Sequence, residues 1–82
     1  MDEFKEFLIS WICNQNGLQE DTIECEKNMF ENGYVDSLGL FGLLLDIEEK
    51  FNIVLTEDDI LDDSASTING LSSILHRRKI NN

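Results

Sequence analysis

The sequence predicts an all-α protein: a small four-helix bundle with three main helices, one short helix and a long loop between the first two. Apolar residues recur at helical spacing in three separate stretches, a capping residue precedes each stretch, and proline is absent. Residues 53–55 have no partner segment with which to form a sheet. We expect residues 1–82 to form one domain, because two cores do not fit in so short a chain.

The first helix is predicted over about residues 3–15, with Asp2 as its cap and Gly17 as its stop. Its apolar positions follow the spacing i, i+3, i+4, i+7 and i+8: Phe4, Phe7, Leu8, Trp11 and Ile12. Residues 17–35 show no sustained period and predict a long connection, with a short helical turn near 22–28. Long loops without regular structure are often functional, and this one leads directly to Ser37.

The second helix is predicted from Ser37 to about Phe51. Its core face contains the apolar residues at helical spacing: Leu40, Leu43, Leu44, Ile47 and Phe51. Leu38, Phe41 and Leu45 fall opposite or beside that face. Either they are exposed and mark a partner site, or the long loop covers them. Gly42, inside the helix, costs about 1 kcal/mol against alanine, and close approach of another backbone is one reason for a glycine there, which the sequence alone does not show.

The start of this helix presents a serine. Asp36 is a good N-cap, whose carboxylate can accept the backbone N–H of Leu38 or Gly39. Ser37 then occupies the first helical position, and Gly33 relaxes the turn before it. A phosphate attached to Ser37 would lie at the positive end of the helix dipole, beside unpaired N–H groups.

Two further helices complete the chain. Thr56 caps a short helix at about 57–62, and Ser66 or Thr67 caps a last helix that ends in a basic cluster suited to the dipole. The apolar face of the last helix comprises Ile68, Leu71, Ile74 and Leu75. We expect residues 80–82 to fray.

The charge restricts the partners. The chain has 17 acidic and 6 basic residues, a net charge of −11, so nucleic acid and membrane surfaces are disfavoured and a basic protein partner fits. An acidic N-terminus without a signal peptide, and no long apolar stretch, predict a cytoplasmic protein without membrane insertion. Cys13 and Cys25 are expected to be free thiols.

Enzymatic chemistry is not indicated. Ser37 lacks the first glycine of a G-x-S-x-G hydrolase motif, and the single histidine, His76, lies among cations near the chain end. The acids of residues 57–63 do not follow the EF-hand order and predict a solvated face. The cysteines lack metal-ligand spacing, so no metal site is expected. On spacing alone, Ser37 is either a modified residue or a structural one.

The sequence resembles the acyl carrier proteins, together with the peptidyl and D-alanyl carriers, over nearly its whole length. Residues 30–38 (FENGYVDSL) are similar to the family's loop and Asp-Ser-Leu attachment motif. Residues 43–51 (LLLDIEEKF) resemble its second helix, and the later elements follow in family order. The predicted bundle is therefore of acyl-carrier type.

The resemblance implies a carrier, not an enzyme. A phosphopantetheinyl transferase would attach 4′-phosphopantetheine from coenzyme A to Ser37, and the thiol of the arm would hold an acyl or aminoacyl group as a thioester. Asp36 would cap the helix and help to place the transferase's magnesium. Loading enzymes and downstream transferases or synthases with basic docking surfaces would contact this helix and the short third one. The implied contacts are Leu38, Phe41, Leu45, Glu48 and Glu49.

Two features depart from carriers of fatty-acid synthesis. Those carriers usually bear acids two and five residues after the serine, where this chain has Gly39 and Gly42. The run at residues 30–33 favours a stand-alone aminoacyl, peptidyl or D-alanyl-type carrier. The competing hypothesis is a carrier-like interaction module that is never loaded. In either case we expect a monomer.

Overall fold

The computed structural model describes residues 2–81, with side chains through residue 79. The backbone forms four α-helices and two short 3-10 turns: α1 (Glu3–Asn16), a turn at Glu20–Thr22, α2 (Ser37–Phe51), α3 (Glu57–Leu61), a turn at Asp63–Ser66, and α4 (Ile68–Asn81). Between residues 2 and 81 there is no strand, only an isolated bridge between Asn28 and Thr67. The predicted all-α class, with three main helices and one short helix, is confirmed.

Capping residues fix where the helices begin and end. Asp2 caps α1, its Oδ1 accepting the Phe4 N–H at 2.8 Å, and Gly17 ends the helix with a φ of 65°. Thr56 and Asp59 form a reciprocal capping box at the start of α3. Asn52 ends α2 in the left-handed conformation, with a φ of 58°, a conformation that asparagine tolerates better than most residues.

One hydrophobic core lies between α1, α2 and α4. Leu43 and Ile47 of α2 are fully buried, and the other three residues of its predicted core face are partly buried. From α1 and α4 the core receives Phe4, Leu8, Ile12, Ile68, Leu71, Ile74 and Leu75. The ring of Phe51 packs edge-on against Phe4 at a centroid distance of 4.8 Å and against Phe7 at 5.3 Å. The periodicity therefore identified the buried faces correctly.

The long connection is fixed to the core through Met29, which is fully buried. The Met29 N–H donates to the Ser66 carbonyl at 2.7 Å, and the Met29 carbonyl accepts from Tyr34 at 2.8 Å and from Val35 at 3.2 Å. The loop is thus bonded to the segment that precedes α4. The short helical turn predicted near 22–28 is found in part: the 3-10 turn lies earlier, at Glu20–Thr22. Within the predicted range the chain forms a single hydrogen-bonded turn, in which the Lys27 N–H donates to the Glu24 carbonyl at 3.2 Å.

The acidic segment 57–63 was predicted to be a solvated face, and this prediction is wrong for Asp59. Asp59 is only 9% exposed and accepts two hydrogen bonds from Arg78, at 2.6 Å from Nε and 2.9 Å from Nη2. The Arg78 guanidinium, with help from Thr56, lowers the pKa of Asp59 to about 2. Arg78 belongs to the basic cluster that was predicted to suit the dipole of the last helix, and here it also forms an ion pair that joins α3 to α4.

The close backbone approach lies at Gly70, not at Gly42. A Cβ atom at Gly70 would come within 1.8 Å of the Ser64 carbonyl oxygen. At Gly42, apart from the surrounding backbone of α2 itself, the nearest atom to such a Cβ is Cζ2 of Trp11, at 3.9 Å, and no backbone atom of another element comes within 4 Å. Close approach of another backbone, which was one reason considered for Gly42, is therefore not what this glycine serves; a side chain, the indole of Trp11, occupies that side of α2.

The remaining sequence predictions concern the chain ends and the membrane. Helix α4 is described through Asn81, whereas Asn82 and the side chains of residues 80 and 81, where fraying was predicted, lie outside the described residues. No helix within residues 2–81 is both long enough and apolar enough to span a membrane.

Candidate functional site

The start of α2 presents Ser37 to solvent. Asp36 is extended, and its Oδ1 accepts the Gly39 N–H at 2.6 Å, while its carbonyl accepts the Leu40 N–H at 2.9 Å. The predicted cap is confirmed, with Gly39 rather than Leu38 as the donor. Ser37 is the first helical residue and is exposed.

The backbone around Ser37 favours an anion. Within residues 2–81 no acceptor is found for the N–H groups of Ser37 and Leu38, which are the orphan donors of a helix start. These donors lie at the positive end of a 15-residue helix, where a phosphodiester oxygen could accept from them. The first turn of α2 contains no acidic residue; the adjacent carboxylate is that of the cap, Asp36, whose Oδ1 accepts the Gly39 N–H.

The segment that leads to Ser37 is anchored on both sides. Gly33 has a φ of 74°, a conformation that side chains rarely adopt, so the predicted need for glycine is confirmed. Val35 is buried, and the Asn16 side-chain amide donates to the Tyr34 carbonyl at 2.9 Å. The Tyr34 hydroxyl accepts the Glu24 N–H at 3.3 Å. Ser37 is therefore held at a defined position although its side chain is exposed.

A cleft of about 420 Å³ opens beside Ser37, between the end of α1 and the long loop. Its walls include Trp11 and Gln15 of α1 and Phe30 and Tyr34 of the loop. Sequence reasoning assigned Trp11 to the core stripe and missed this cleft. The sequence feature that could have indicated the cleft is the pair of glycines in the first half of α2, Gly39 and Gly42. Because these residues have no side chain, they leave room for an indole from an adjacent helix.

The flank of α2 predicted to bind partners is exposed. Leu38 is 82% exposed, and Phe41 and Leu45 are each 65% exposed, so the alternative in which the loop covers them is excluded. Glu48 and Glu49, farther along the same helix, are also exposed. Sequence reasoning did not single out two further apolar residues with comparable exposure: Val54, between α2 and α3, which is 62% exposed, and Leu61 of α3, which is 71% exposed.

Other chemistry-bearing residues do not converge on Ser37. His76 bonds to Asp2 at 2.7 Å, and the cleft lining beside Ser37 contains no histidine. No group of three potential metal ligands is found within residues 2–81. Cys13 and Cys25 are free, and burial raises the pKa of both thiols.

The helical bundle with an exposed serine at the head of α2 is consistent with a carrier class of protein, and comparison with known proteins identifies the family. The family described as phosphopantetheine attachment site matches residues 6–75. An acyl carrier protein of Kocuria rhizophila is 24% identical over 59 residues, which cover 72% of this chain and 73% of that protein. The chain belongs to the acyl carrier protein family, whose covalent cofactor is 4′-phosphopantetheine.

The residues at the start of α2 fit that cofactor. The exposed Ser37 hydroxyl would supply the attachment oxygen, and two backbone N–H groups without acceptors in the described chain would suit its phosphate. A Cβ atom at Gly39 would lie 3.0 Å from Asp36 Oδ1, so a side chain there would crowd the cap.

Proposed function

We propose that Ser37 is the attachment point of 4′-phosphopantetheine and that the protein carries an acyl or aminoacyl group between biosynthetic enzymes. The observation that carries this proposal is the position of Ser37, an exposed hydroxyl on the first residue of α2 beside backbone N–H groups without an acceptor in residues 2–81. When bound, the arm supplies a terminal thiol that holds the cargo as a thioester.

The chain's own part in this function is positioning. The cap by Asp36, the buried Val35 and the bonded Tyr34 fix the start of α2, so that a transferase meets the Ser37 hydroxyl in one orientation. Only one oxygen of the Asp36 carboxylate, Oδ1, accepts the Gly39 N–H. Its other oxygen remains available to the magnesium that the transferase brings.

The partner surface is proposed on the exposed flank of α2. Leu38, Phe41 and Leu45 give desolvated apolar contacts, and Glu48 and Glu49 give acidic ones. The net charge of −11 favours partners with basic docking surfaces and speeds their encounter. These partners are the phosphopantetheinyl transferase, the loading enzyme and the downstream transferase or synthase.

Two features of the sequence bear on the class of cargo. The glycines at 39 and 42, with the loop residues 30–33, favour a stand-alone aminoacyl, peptidyl or D-alanyl-type carrier. We further propose that residues 1–82 act as one carrier domain, as a monomer, in the cytoplasm. An adenylating enzyme that aminoacylates the loaded protein supports this cargo class, whereas elongation by a ketosynthase contradicts it.

Intact mass tests the proposal. The protein is incubated with coenzyme A, magnesium and a promiscuous phosphopantetheinyl transferase, and the mass is expected to rise by one phosphopantetheine. The gain should vanish in Ser37→Ala and persist in Ser73→Ala, an exposed helical serine on α4. A gain retained by Ser37→Ala refutes the assignment of the residue.

The same experiment separates the competing function. An interaction module that is never loaded predicts no mass gain, together with a partner bound through Phe41 and Leu45. The exposure of these two side chains is the observation that keeps this second function under test.

A further inference from the structure

We infer that the phosphopantetheine arm, once attached, rests in the cleft between α1 and the long loop, against the indole of Trp11. This inference rests on the proposed attachment at Ser37 and assigns the arm a binding site on its own carrier. Ser37 and Trp11 both line this cleft, so an arm attached to the serine starts at its edge.

The cleft has the size of a ligand site. Its volume of about 420 Å³ falls within the range of roughly 300–1,000 Å³ that is usual for small-molecule pockets. By contrast, the apolar pocket between α2 and α3, lined by Leu40 and Leu55, measures only about 20 Å³. Of these two, only the cleft beside Ser37 has room for the arm.

The lining matches the chemistry of the arm, which alternates amide bonds with methylene and methyl groups. Trp11 and Phe30 give aromatic surface, and Phe30 is 40% exposed, which leaves a large apolar side chain uncovered at the cleft. Gln15 makes no side-chain hydrogen bond to the described part of the chain and can donate to or accept from an arm amide. The side-chain N–H groups of Asn16 already donate to the backbone carbonyls of Ile12 and Tyr34, at 2.9 Å each. The side-chain oxygen of Asn16 is therefore the group that can accept a hydrogen bond from an arm amide.

The indole is held in place before the arm arrives. Trp11 Nε1 donates to Asp46 Oδ2 at 2.7 Å, and this hydrogen bond holds the indole of Trp11, an α1 residue, against the surface of α2. A Cβ atom at Gly39 would meet Trp11 Cη2 at 3.8 Å and Asp36 Oδ1 at 3.0 Å, and one at Gly42 would meet Trp11 Cζ2 at 3.9 Å. The two glycines thus let the ring lie on the helix, and a preorganised aromatic wall lowers the entropic cost of ordering a flexible arm.

Tryptophan fluorescence and NMR test this inference, because Trp11 is the single tryptophan of the chain. The full-length protein is compared before and after loading with coenzyme A and a transferase, with loading verified by intact mass. Loading is expected to lower the acrylamide quenching constant of Trp11. In isotope-labelled protein with an unlabelled arm, filtered spectra are expected to show contacts between arm methyl or methylene protons and the indole.

A relocated probe is the control. In Trp11→Phe combined with Phe41→Trp, the single indole lies on the exposed flank of α2, and its quenching should not change on loading. Gln15→Ala, an exposed change, should weaken the contacts between arm and indole without changing the extent of loading.

Failure of the inference and failure of the proposed function give different results. A fully loaded protein with unchanged Trp11 quenching and no contact between arm and indole overturns the inference alone. Protection of the indole at position 41 overturns it too, because the arm then lies on the partner flank. Absence of the mass gain overturns the proposed attachment at Ser37.

Discussion

The close packing of Gly70 against the turn at Asp63–Ser66 makes a strong prediction about stability. In Gly70→Ala, the new Cβ would lie 1.8 Å from the Ser64 carbonyl oxygen and 2.6 Å from its carbonyl carbon. Both atoms belong to the backbone, so no side-chain rotation relieves the overlap. The turn has to move, and with it Ser66, whose carbonyl accepts the N–H of buried Met29 at 2.7 Å.

The magnitude follows from two opposing effects. Overpacking costs about 1–3 kcal/mol, and a backbone overlap of this size belongs at the upper end. Alanine returns about 1 kcal/mol of helix propensity, which leaves a net loss of about 2 kcal/mol. A chain of this length has a free energy of unfolding of roughly 4–12 kcal/mol, so the loss is a large fraction of the total.

Gly42→Ala is the matched control, because the same substitution in another helix interior meets only Trp11 Cζ2 at 3.9 Å, an ordinary contact. It should gain up to about 1 kcal/mol. Denaturant unfolding, followed by circular dichroism, gives both values, provided that the m-value stays constant. The corresponding thermal midpoint of Gly70→Ala should fall by about 8–16 °C.

Opposite signs for the two glycines are the result expected from the packing. A Gly70→Ala protein as stable as the parent would refute the packing described for the turn before α4. A Gly42→Ala protein that loses more than about 1 kcal/mol would show that the indole cannot accommodate even a methyl group.

Three further perturbations test the ion pair, the cap and the partner surface. Asp59→Asn should cost about 1–3 kcal/mol of the free energy of unfolding at pH 7. Because the pKa of Asp59 in the folded protein is lowered to about 2, the carboxylate stabilises the fold fully above its pKa in the unfolded chain, and this stabilisation is lost as the pH falls through about 2. Acid unfolding should therefore show the stabilities of parent and variant converging at low pH. Asp36→Ala should cost about 1 kcal/mol of stability, whereas Asp36→Asn should keep the cap. If phosphopantetheine is attached more slowly to Asp36→Asn, the negative charge of Asp36 matters to the transferase; an unchanged rate contradicts a contact between this carboxylate and the transferase. Phe41→Ser removes a side chain that is 65% exposed, so the melting temperature should stay constant while KM for the transferase rises; an unchanged KM would argue against this flank as the docking surface.

The sequence by itself determined the helices and the position of the serine. A helix is built from hydrogen bonds between residues four apart, and its caps are bonded two or three residues away, as Asp36 is to Gly39. Such interactions are written in consecutive residues. The apolar period was equally local, and it correctly left Leu38, Phe41 and Leu45 outside the core.

Tertiary structure alone decided which distant residues meet. The pair Asp59 and Arg78 is separated by 19 positions, and Trp11 and Asp46 by 35. Nothing in the local sequence pattern distinguishes Asp59 from its acidic neighbours. Nor does the pattern show that Trp11, which falls on the apolar stripe of α1, also lines a cleft. The bonds that hold Met29 beside α4 likewise depend on how the helices pack, because their partners come together only after the bundle has formed.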